Sequence, residues 1–305
     1  DRFLENNALP FAAALRMNDE HGFDVIVVVA RLAWQVSARG EARLAEPQRP
    51  IRVNPVHHLG SASSLRFPSD HQPSKPGTDL LLLARAYPPA GQSVTQVDVS
   101  VRLETGSRTL QKKLRVHGPR VFMKKLGGVA PGPARPFDRP VPLVYELAEG
   151  GRDPRHPEIV EPTNPVGLGR RKNRAELVDT EAPRIELLGG TQPAGLGAIA
   201  PHWSPRVERF GSTDESYYRR RHPVAPVDFD PRHFSDAHPD LWSDTPLGGD
   251  EPIELLGLTP EGLWRFKLPF YQPRFDSRID GEIKQLPSHL DTILIDVENP
   301  AVRVV

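Results

Sequence analysis

The chain has no cysteine among its 305 residues. That absence excludes disulfides, thiolate metal sites and cysteine nucleophiles. It also has no apolar run close to the roughly 18 residues that a membrane-spanning helix requires, so no membrane insertion is expected. The sequence opens at Asp1 without a charged and apolar signal segment and without an initiator methionine. We therefore expect a soluble, cytoplasmic protein whose sequence is an excerpt of a longer product.

An excess of either charge is also missing, because 39 Lys and Arg side chains balance 39 Asp and Glu side chains. Nucleic-acid-binding proteins need a basic excess to displace counterions from phosphates. The composition therefore predicts no nucleic-acid partner.

Proline, by contrast, is abundant, with 34 residues spread along the chain. Because proline removes a backbone donor and disrupts helix interiors, this density leaves little room for long helices. Prolines that recur at short intervals along a chain are typical of many short strands joined by turns. We therefore expect a mainly β fold, a single sandwich or barrel-like domain over residues 1–305. Long loops should concentrate in a loop-rich middle at residues 127–211, with a few short helices.

Alternating apolar residues predict strands at both ends of the chain. The pattern at residues 23–36 predicts one long strand, buried on both faces at its start and half-exposed at its end. Residues 80–86 predict a buried strand between two Pro/Gly clusters, and the alternations at 97–103 and 110–116 predict a β-hairpin. Further strands are expected at 253–256, 263–268 and 293–297. The two β-rich ends are expected to pair with each other.

The middle of the chain has little apolar periodicity. For residues 149–174, which are polar and charged, an ordered functional loop and a disordered insert both stay open. Residues 214–221 predict a short helix with Thr213 or Asp214 as its N-cap and arginines near its C-terminal dipole.

Histidines are the first candidates for metal chemistry. His57 and His58 are adjacent, so in a strand they point to opposite faces and suit chelation poorly. No HExxH or other ligand-spaced motif occurs, and no metal is predicted. One region combines histidines with carboxylates, namely His202, His222, His233 and His238 with Asp214, Asp228 and Asp230.

Asp228 and Asp230 also resemble a pair of carboxylates for acid–base work, since alternate strand residues share a face. Their flanking prolines, Pro226 and Pro231, favour Asx turns or a cap on a following helical turn. No Gly-x-Ser-x-Gly motif indicates a serine hydrolase. Residues 164–169 resemble a phosphate loop but lack its lysine, so no cofactor is predicted.

Two basic clusters remain, at residues 170–174 and 219–221. The first has no interleaved aromatics, which favours a solvated loop over a binding surface for nucleic acid or an acidic partner. The second lies beside Tyr217 and Tyr218. Arginine with tyrosine is the composition of protein–protein hot spots, so an interface is expected there.

Motif blocks follow one another along the chain, at Lys75-Pro76 with Thr78-Asp79, Pro142-Leu143 with Tyr145-Glu146, Asn164-Pro165 with Gly167, Trp203-Ser204-Pro205-Arg206, and Asp228-Phe229. Taken in order, such motifs between residues 25 and 297 resemble the family called domain of unknown function twenty-one sixty-nine, whose members are adaptor-chaperones of the bacterial type VI secretion system. Departures from the family pattern fall at Ala30-Arg31, at Asp179-Thr180 and at Tyr217, where tryptophan is usual. The motif residues that we interpret as structural are Lys75, Asp79, Gly91, Gly118, Arg120, Tyr145, Glu146, Gly150, Gly151, Asn164, Pro165, Gly167, Asp214, Asp228 and Glu251. Lys75 and Asp79 are expected to pair locally at the entrance of their strand.

The resemblance implies a non-enzymatic adaptor that holds a secreted effector, near its N-terminal region or its PAAR-like tip domain. Such an adaptor helps to load the effector onto the VgrG spike. The candidate partner-binding residues are Trp203, Arg206, Tyr217, Tyr218 and Arg219. For Trp203 and Arg206, the alternative is that they tie long loops to the core.

Two other functions are open at this stage. One is a metal- or carboxylate-dependent hydrolase that uses Asp228, Asp230 and nearby histidines, which requires those side chains to converge in a pocket. The other is a structural component of the secretion apparatus, which requires self-assembly.

Overall fold

The computed structural model describes residues 12–73, 75–270, 273–279, 281–298 and 301–304. Strands account for 38% of the chain and helices for 9%, which confirms the mainly β prediction. Among these residues, no helix is both long enough and apolar enough to cross a bilayer.

The strands of the first part of the chain are β1 (Ala12–Asn18), β2 (Asp24–Ala30), β3 (Leu32–Val36), β4 (Ala42–Leu44), β5 (Val56–His57), β6 (Leu65–Phe67), β7 (Thr78–Leu83), β8 (Arg85–Ala86), β9 (Gln96–Glu104) and β10 (Thr109–His117). Those of the middle are β11 (Phe122–Lys125), β12 (Gly128–Pro131), β13 (Val141–Pro142), β14 (Glu149–Gly150), β15 (Leu168–Gly169) and β16 (Ile185–Leu187). Those of the last part are β17 (Trp242–Ser243), β18 (Pro252–Leu256), β19 (Leu263–Lys267), β20 (Phe275–Ile279), β21 (Glu282–Leu286), β22 (Thr292–Asp296) and β23 (Ala301–Val304).

Helical structure is short throughout. The α-helices are α1 (Arg206–Arg209) and α2 (Glu215–Arg220). Single 3₁₀ turns form at Tyr145–Leu147, Arg174–Leu177, Pro231–Phe234 and Pro239–Leu241.

Two larger sheets organise the described strands. One has the order β16-β10-β9-β18-β19 and the other the order β17-β7-β22-β23-β3-β4. Each combines strands from the two ends of the chain, and β22 runs parallel to β7 with Ile293 opposite Leu80. The predicted pairing of the β-rich ends is therefore confirmed. Buried side chains from both sheets form one continuous cluster, which extends in sequence from Val36 to Ile295.

The β9–β10 hairpin confirms the prediction from alternation. Its register pairs Glu104 with Thr109 at the turn and Gln96 with His117 at the open end. The hydroxyl of Thr105 accepts a hydrogen bond from the backbone N–H of Arg108 at 2.9 Å, which closes the turn. Lys112 occupies a buried position in the apolar row of β10, so the only break in the predicted pattern faces the core.

The prediction of one strand at residues 23–36 is wrong. The segment forms β2, which pairs with β1 in a separate ribbon, and β3, which joins the six-stranded sheet. The chain changes sheets at Arg31, whose guanidinium is buried and donates to Asp70 at 2.8 Å. The predicted burial is reversed as well, because Ile26 in β2 is exposed whereas Leu32 in β3 is buried.

The strand predicted at 80–86 is present in two pieces. All six residues of β7 are buried, and the pairing then moves from β22 to a short contact between β8 and β13. The later predictions match β18, β19 and β22 closely. The middle of the chain has only short elements, in agreement with the predicted loop-rich region at 127–211.

Candidate functional site

A buried charge network lies beneath the start of β7. The ammonium of Lys75 donates to Asp79 at 2.8 Å, to Asp236 at 2.9 Å and to the hydroxyl of Thr292 at 2.8 Å. Burial alone would lower the pKa of Lys75, but the carboxylates of Asp236 and Asp79 outweigh that effect and raise it. Lys75 is therefore a permanent cation that joins β7, β22 and the segment after α2.

Arg206 completes this network from the other side. Its guanidinium donates to Asp236 at 2.7 Å and to the backbone carbonyls of Ile199 at 2.5 Å and His233 at 2.9 Å. With its donors turned to the interior and its side chain buried, Arg206 cannot reach a partner protein. Its position matches the tethering alternative that the sequence left open.

Trp203 occupies the same interior. Its ring packs edge-on against Tyr145, with ring centroids 5.4 Å apart, and the phenol of Tyr145 donates to the carbonyl of Gly197 at 2.9 Å. Trp203 is fully buried. Trp203 and Arg206 thus anchor the loops that lead into α1 rather than present a surface.

Helix α2 lies on the exterior and follows these anchors. Asp214 caps its start, because its carboxylate accepts the backbone N–H of Tyr217 at 2.8 Å, as one of the two predicted caps. Tyr217 packs inward, whereas Tyr218 is 61% exposed and Arg219 pairs with Glu215 on the solvent side. We call the exposed side chains of Tyr218, Arg219 and Arg220 the α2 face.

The turn between β1 and β2 lies close to the segment that follows α2. A Cβ atom on Gly22 would lie 2.7 Å from a methyl group of Val224, so the ribbon turn contacts the segment that follows α2. Phe23 at this turn is 68% exposed, and Val227 beyond α2 is 85% exposed. An aromatic and basic helix thus has exposed apolar side chains on either side, which is the composition of protein interfaces.

The carboxylates of the proposed hydrolase do not converge. Asp228 accepts hydrogen bonds from the backbone N–H of Ser212 at 3.0 Å and from its hydroxyl at 2.7 Å, and these bonds lower the pKa of Asp228. Asp230 caps the Pro231–Phe234 turn through the N–H of Arg232 at 2.9 Å and pairs with the Arg232 guanidinium. Asp230 therefore caps a local turn, as the flanking prolines predicted, whereas Asp228 joins two segments by accepting hydrogen bonds from Ser212, 16 positions away. Within the described ranges, no three His, Asp or Glu side chains are grouped so that they could hold a metal ion.

The glycine and asparagine motifs in the middle form one close-packed turn. The amide of Asn164 donates to the carbonyls of Tyr145 at 3.0 Å and Glu149 at 2.9 Å. A Cβ atom on Gly151 would lie 2.2 Å from the carbonyl oxygen of Gly167, and one on Gly150 would lie 2.3 Å from that of Asn164. These glycines allow backbone segments to touch where side chains would separate them. These contacts hold residues 149–151 against residues 164–167, and Pro165 follows Asn164 in the chain.

The remaining motif residues also hold loops in place. The guanidinium of Arg120 donates to the carbonyl of Pro183 at 2.6 Å and to Glu186 at 2.5 Å. Glu146 accepts the N–H of Ser64 at 2.7 Å and its hydroxyl at 2.8 Å. Glu251 accepts the N–H of Gly248 at 2.8 Å, and Gly91 turns the chain with a φ of 71°.

Asp236 is the residue that sequence reasoning missed. It unites Lys75 and Arg206, from which it is separated by 161 and 30 positions in sequence. Nothing in its local sequence distinguishes it from a surface aspartate, because its burial depends on segments that meet only in the fold.

Comparison with known proteins gives a family for the chain. Residues 21–305 match the family described as an uncharacterized protein conserved in bacteria (DUF2169). No curated protein matches the chain, and no solved structure matches it.

Proposed function

This chain belongs to the DUF2169 family, and we propose that it acts in the bacterial cytoplasm as a non-enzymatic adaptor for type VI secretion. In this role it binds a secreted effector, or the PAAR-like tip protein that accompanies it, and promotes loading onto the VgrG spike. Family membership agrees with the sequence motifs. The adaptor role is what the resemblance of those motifs implies.

The observation that carries the proposal is the α2 face. Tyr218 is a large amphipathic side chain held at the surface by a capped helix whose opposite side, at Tyr217, is buried. The Asp214 cap fixes the backbone at the start of α2, and a tyrosine side chain has few rotatable bonds, so Tyr218 loses little conformational freedom on binding. Tyr and Arg side chains dominate the binding energy of protein interfaces.

The hydrogen bonds of Asp228 with Ser212 and of Asp230 with Arg232 also favour a binding role over hydrolysis. A general base needs a lone pair directed at a substrate proton. Both carboxylates direct theirs at Ser212 or Arg232 instead.

The test is co-purification of the protein with the effector and the PAAR-like protein encoded beside its gene. We expect a complex that forms at moderate salt and is weakened by the double substitution Tyr218→Ala and Arg219→Ala, with a loss of about 2 kcal/mol, or roughly thirtyfold in Kd. A matched control is Arg43→Ala, on the exposed strand β4. If neither neighbouring protein forms a complex with the wild-type chain, the adaptor proposal fails.

A further inference from the structure

We propose that the β11–β12 hairpin and the loop at residues 170–174 together form a docking surface for an acidic segment of a partner protein. We call it the basic face and define it by Lys124, Lys125, Arg171, Lys172 and Arg174. The inference deepens the proposed function and rests on it for the identity of the partner, namely the effector or its tip protein.

The fold brings together two groups of cations that are far apart in sequence. The guanidinium of Arg174 donates to the carbonyl of Val129 at 3.3 Å, and Val129 is the cross-strand neighbour of Lys124 in the hairpin. The 3₁₀ turn that begins at Arg174 packs along β11 and β12. The cluster at 170–174, which alone favoured a solvated loop, therefore continues into the two lysines of the hairpin.

The small cluster of buried residues under the hairpin makes this arrangement rigid. Phe122 from β11, Leu177 from the 3₁₀ turn and Ala182 pack together, with Val129 against them. Backbone hydrogen bonds from Asp179 to Phe122 and from Phe122 to Thr180, each 2.9 Å long, tie the loop to β11. The cations consequently project from a fixed framework rather than from a loose loop.

These cations are not neutralised within the protein. None of the five has a carboxylate at ion-pair distance in the part of the chain that the structure describes, and Arg171 donates only to the carbonyls of Arg152 and Arg170. The nearby carboxylates are already engaged: Glu161 pairs with Arg170, Glu176 pairs with Arg155, and Asp153 accepts the backbone N–H of Lys172. Asp179 and Glu181 lie beside the base of the hairpin, away from its lysine-bearing turn. A chain with zero formal net charge thus has five cations without a carboxylate partner in the hairpin and in the loop that packs against it.

Apolar side chains among the cations favour a protein as the partner. Leu126 at the hairpin turn is fully exposed, and Met123 on β11 is exposed as well. A partner segment that alternates carboxylates with apolar side chains would satisfy both kinds of contact. Single-stranded nucleic acids are bound through aromatic stacking in addition to cations, and none of the residues that define the basic face is aromatic.

The direct test uses a labelled synthetic peptide in which glutamate and leucine alternate, titrated into the protein and followed by fluorescence anisotropy. The variant is the triple substitution Lys124→Glu, Lys125→Glu and Lys172→Glu. These side chains are exposed and make no hydrogen bond or ion pair with the described residues. The matched control carries the same charge change at exposed arginines elsewhere, Arg43→Glu, Arg49→Glu and Arg139→Glu. We expect binding that weakens with added salt, and an affinity at least about tenfold lower for the triple variant than for the control.

Single-stranded DNA and vesicles of phosphatidylcholine with phosphatidylglycerol serve as competing probes. Tighter binding of either one through the same cations would overturn the inference in favour of a general polyanion surface. Equal loss in the variant and its control, or no peptide binding by the wild type, would also overturn it.

The neighbouring effector separates this inference from the adaptor proposal. If the effector complex survives the triple substitution but is lost when the α2 face is changed, the basic face is not a docking surface and the adaptor proposal stands. If the peptide binds through the basic face but no effector complex forms, the adaptor proposal fails and the proposal of an acidic partner segment stands.

Discussion

Lys75 and Arg206 bind the two oxygens of a single buried carboxylate. Lys75 donates to one oxygen of Asp236 at 2.9 Å, and Arg206 donates to the other at 2.7 Å. Both cations and the carboxylate are almost completely buried. Asp236 therefore connects Arg206, at the start of α1, to the segment that enters β7.

Replacing Asp236 by alanine should destabilise the fold strongly. Lys75 would keep Asp79, but Arg206 would be left as a buried cation without a carboxylate partner. Breaking a buried ion pair from one side costs about 3–5 kcal/mol. Urea denaturation measures the loss, and Asp244→Ala, at an exposed position, should change the midpoint little. Equal midpoints for the two variants would contradict the role given to Asp236.

Replacing Lys112 by methionine should stabilise the protein most at neutral pH. Burial lowers the pKa of Lys112 well below its ordinary value. Among the described residues, its side-chain nitrogen hydrogen-bonds only to the carbonyl of Pro193, at 2.7 Å. Below the ordinary lysine pKa of about 10.4, the unfolded chain binds a proton that the folded chain binds less readily. Wild-type stability therefore rises with pH up to that value, by at most about 1.4 kcal/mol per pH unit.

Methionine at position 112 does not titrate, so the stability of the variant lacks this pH dependence. The difference in unfolding free energy between Lys112→Met and the wild type should shrink as the pH is raised from 7 to 10, since the lost hydrogen bond to Pro193 adds only a constant offset. Lys113→Met, on the exposed face of the same strand, provides the control and should show a constant difference. A constant difference for Lys112→Met as well would mean that Lys112 is charged in the folded state.

Local features of the fold could be predicted from the sequence, whereas features that depend on distant residues could not. The β9–β10 hairpin could be predicted because its alternation and its Thr105 turn are both local. The helix α2 could be predicted from its cap at Asp214 for the same reason. The change of sheets at Arg31 could not be predicted, because Asp70, the carboxylate that pairs with its buried guanidinium, lies 39 positions away.

The same difference between local and distant residues applies to the candidate partner-binding residues. Sequence composition indicated Tyr218 and Arg219, and the structure places both on the exterior of α2. It also indicated Trp203 and Arg206, which the fold buries because Tyr145 and Asp236 lie against them. The contact between the loop at residues 170–174 and the hairpin could not be predicted, because Arg174 and Val129 are 45 positions apart and nothing local joins the two groups of cations.

Acid should destabilise the protein through His238. Burial, assisted by the positive charge of protonated Lys112, lowers the pKa of His238 from 6.5 to about 4. The unfolded chain therefore takes up a proton at a higher pH than the folded chain, and stability is lost as the pH falls from 6.5 toward 4. The contribution amounts to about 3 kcal/mol over that window.

His238→Asn should flatten this acid dependence. Asparagine keeps an acceptor for the N–H of Asp240 and a donor for the carbonyl of Gln192, which His238 contacts at 3.0 Å each. Urea midpoints measured between pH 4 and 7 give the slope. His222→Asn, at an exposed position, should retain the wild-type slope. An unchanged slope in His238→Asn would show that other groups control the acid response.

Adding one methyl group at Gly118 should be far more harmful than adding it at Gly106. A Cβ atom on Gly118 would lie 1.8 Å from the carbonyl oxygen of Arg135, whereas one on Gly106 meets nothing within 4 Å. Neither glycine has a positive φ, so the comparison isolates the steric effect from backbone strain. The two segments are held together at this point, because Gly118 donates to the carbonyl of Thr95 and Arg135 donates to that of Pro119.

The alanine at position 118 must therefore push these segments apart and lose some of those bonds. We expect Gly118→Ala to lower the free energy of unfolding by about 3 kcal/mol, the upper range for overpacking, and Gly106→Ala to change it by less than about 0.5 kcal/mol. Urea denaturation of both variants at one pH decides the matter. If Gly118→Ala were as stable as Gly106→Ala, the close approach of the two backbones at Gly118 would be refuted, and its place among the structural motif residues with it.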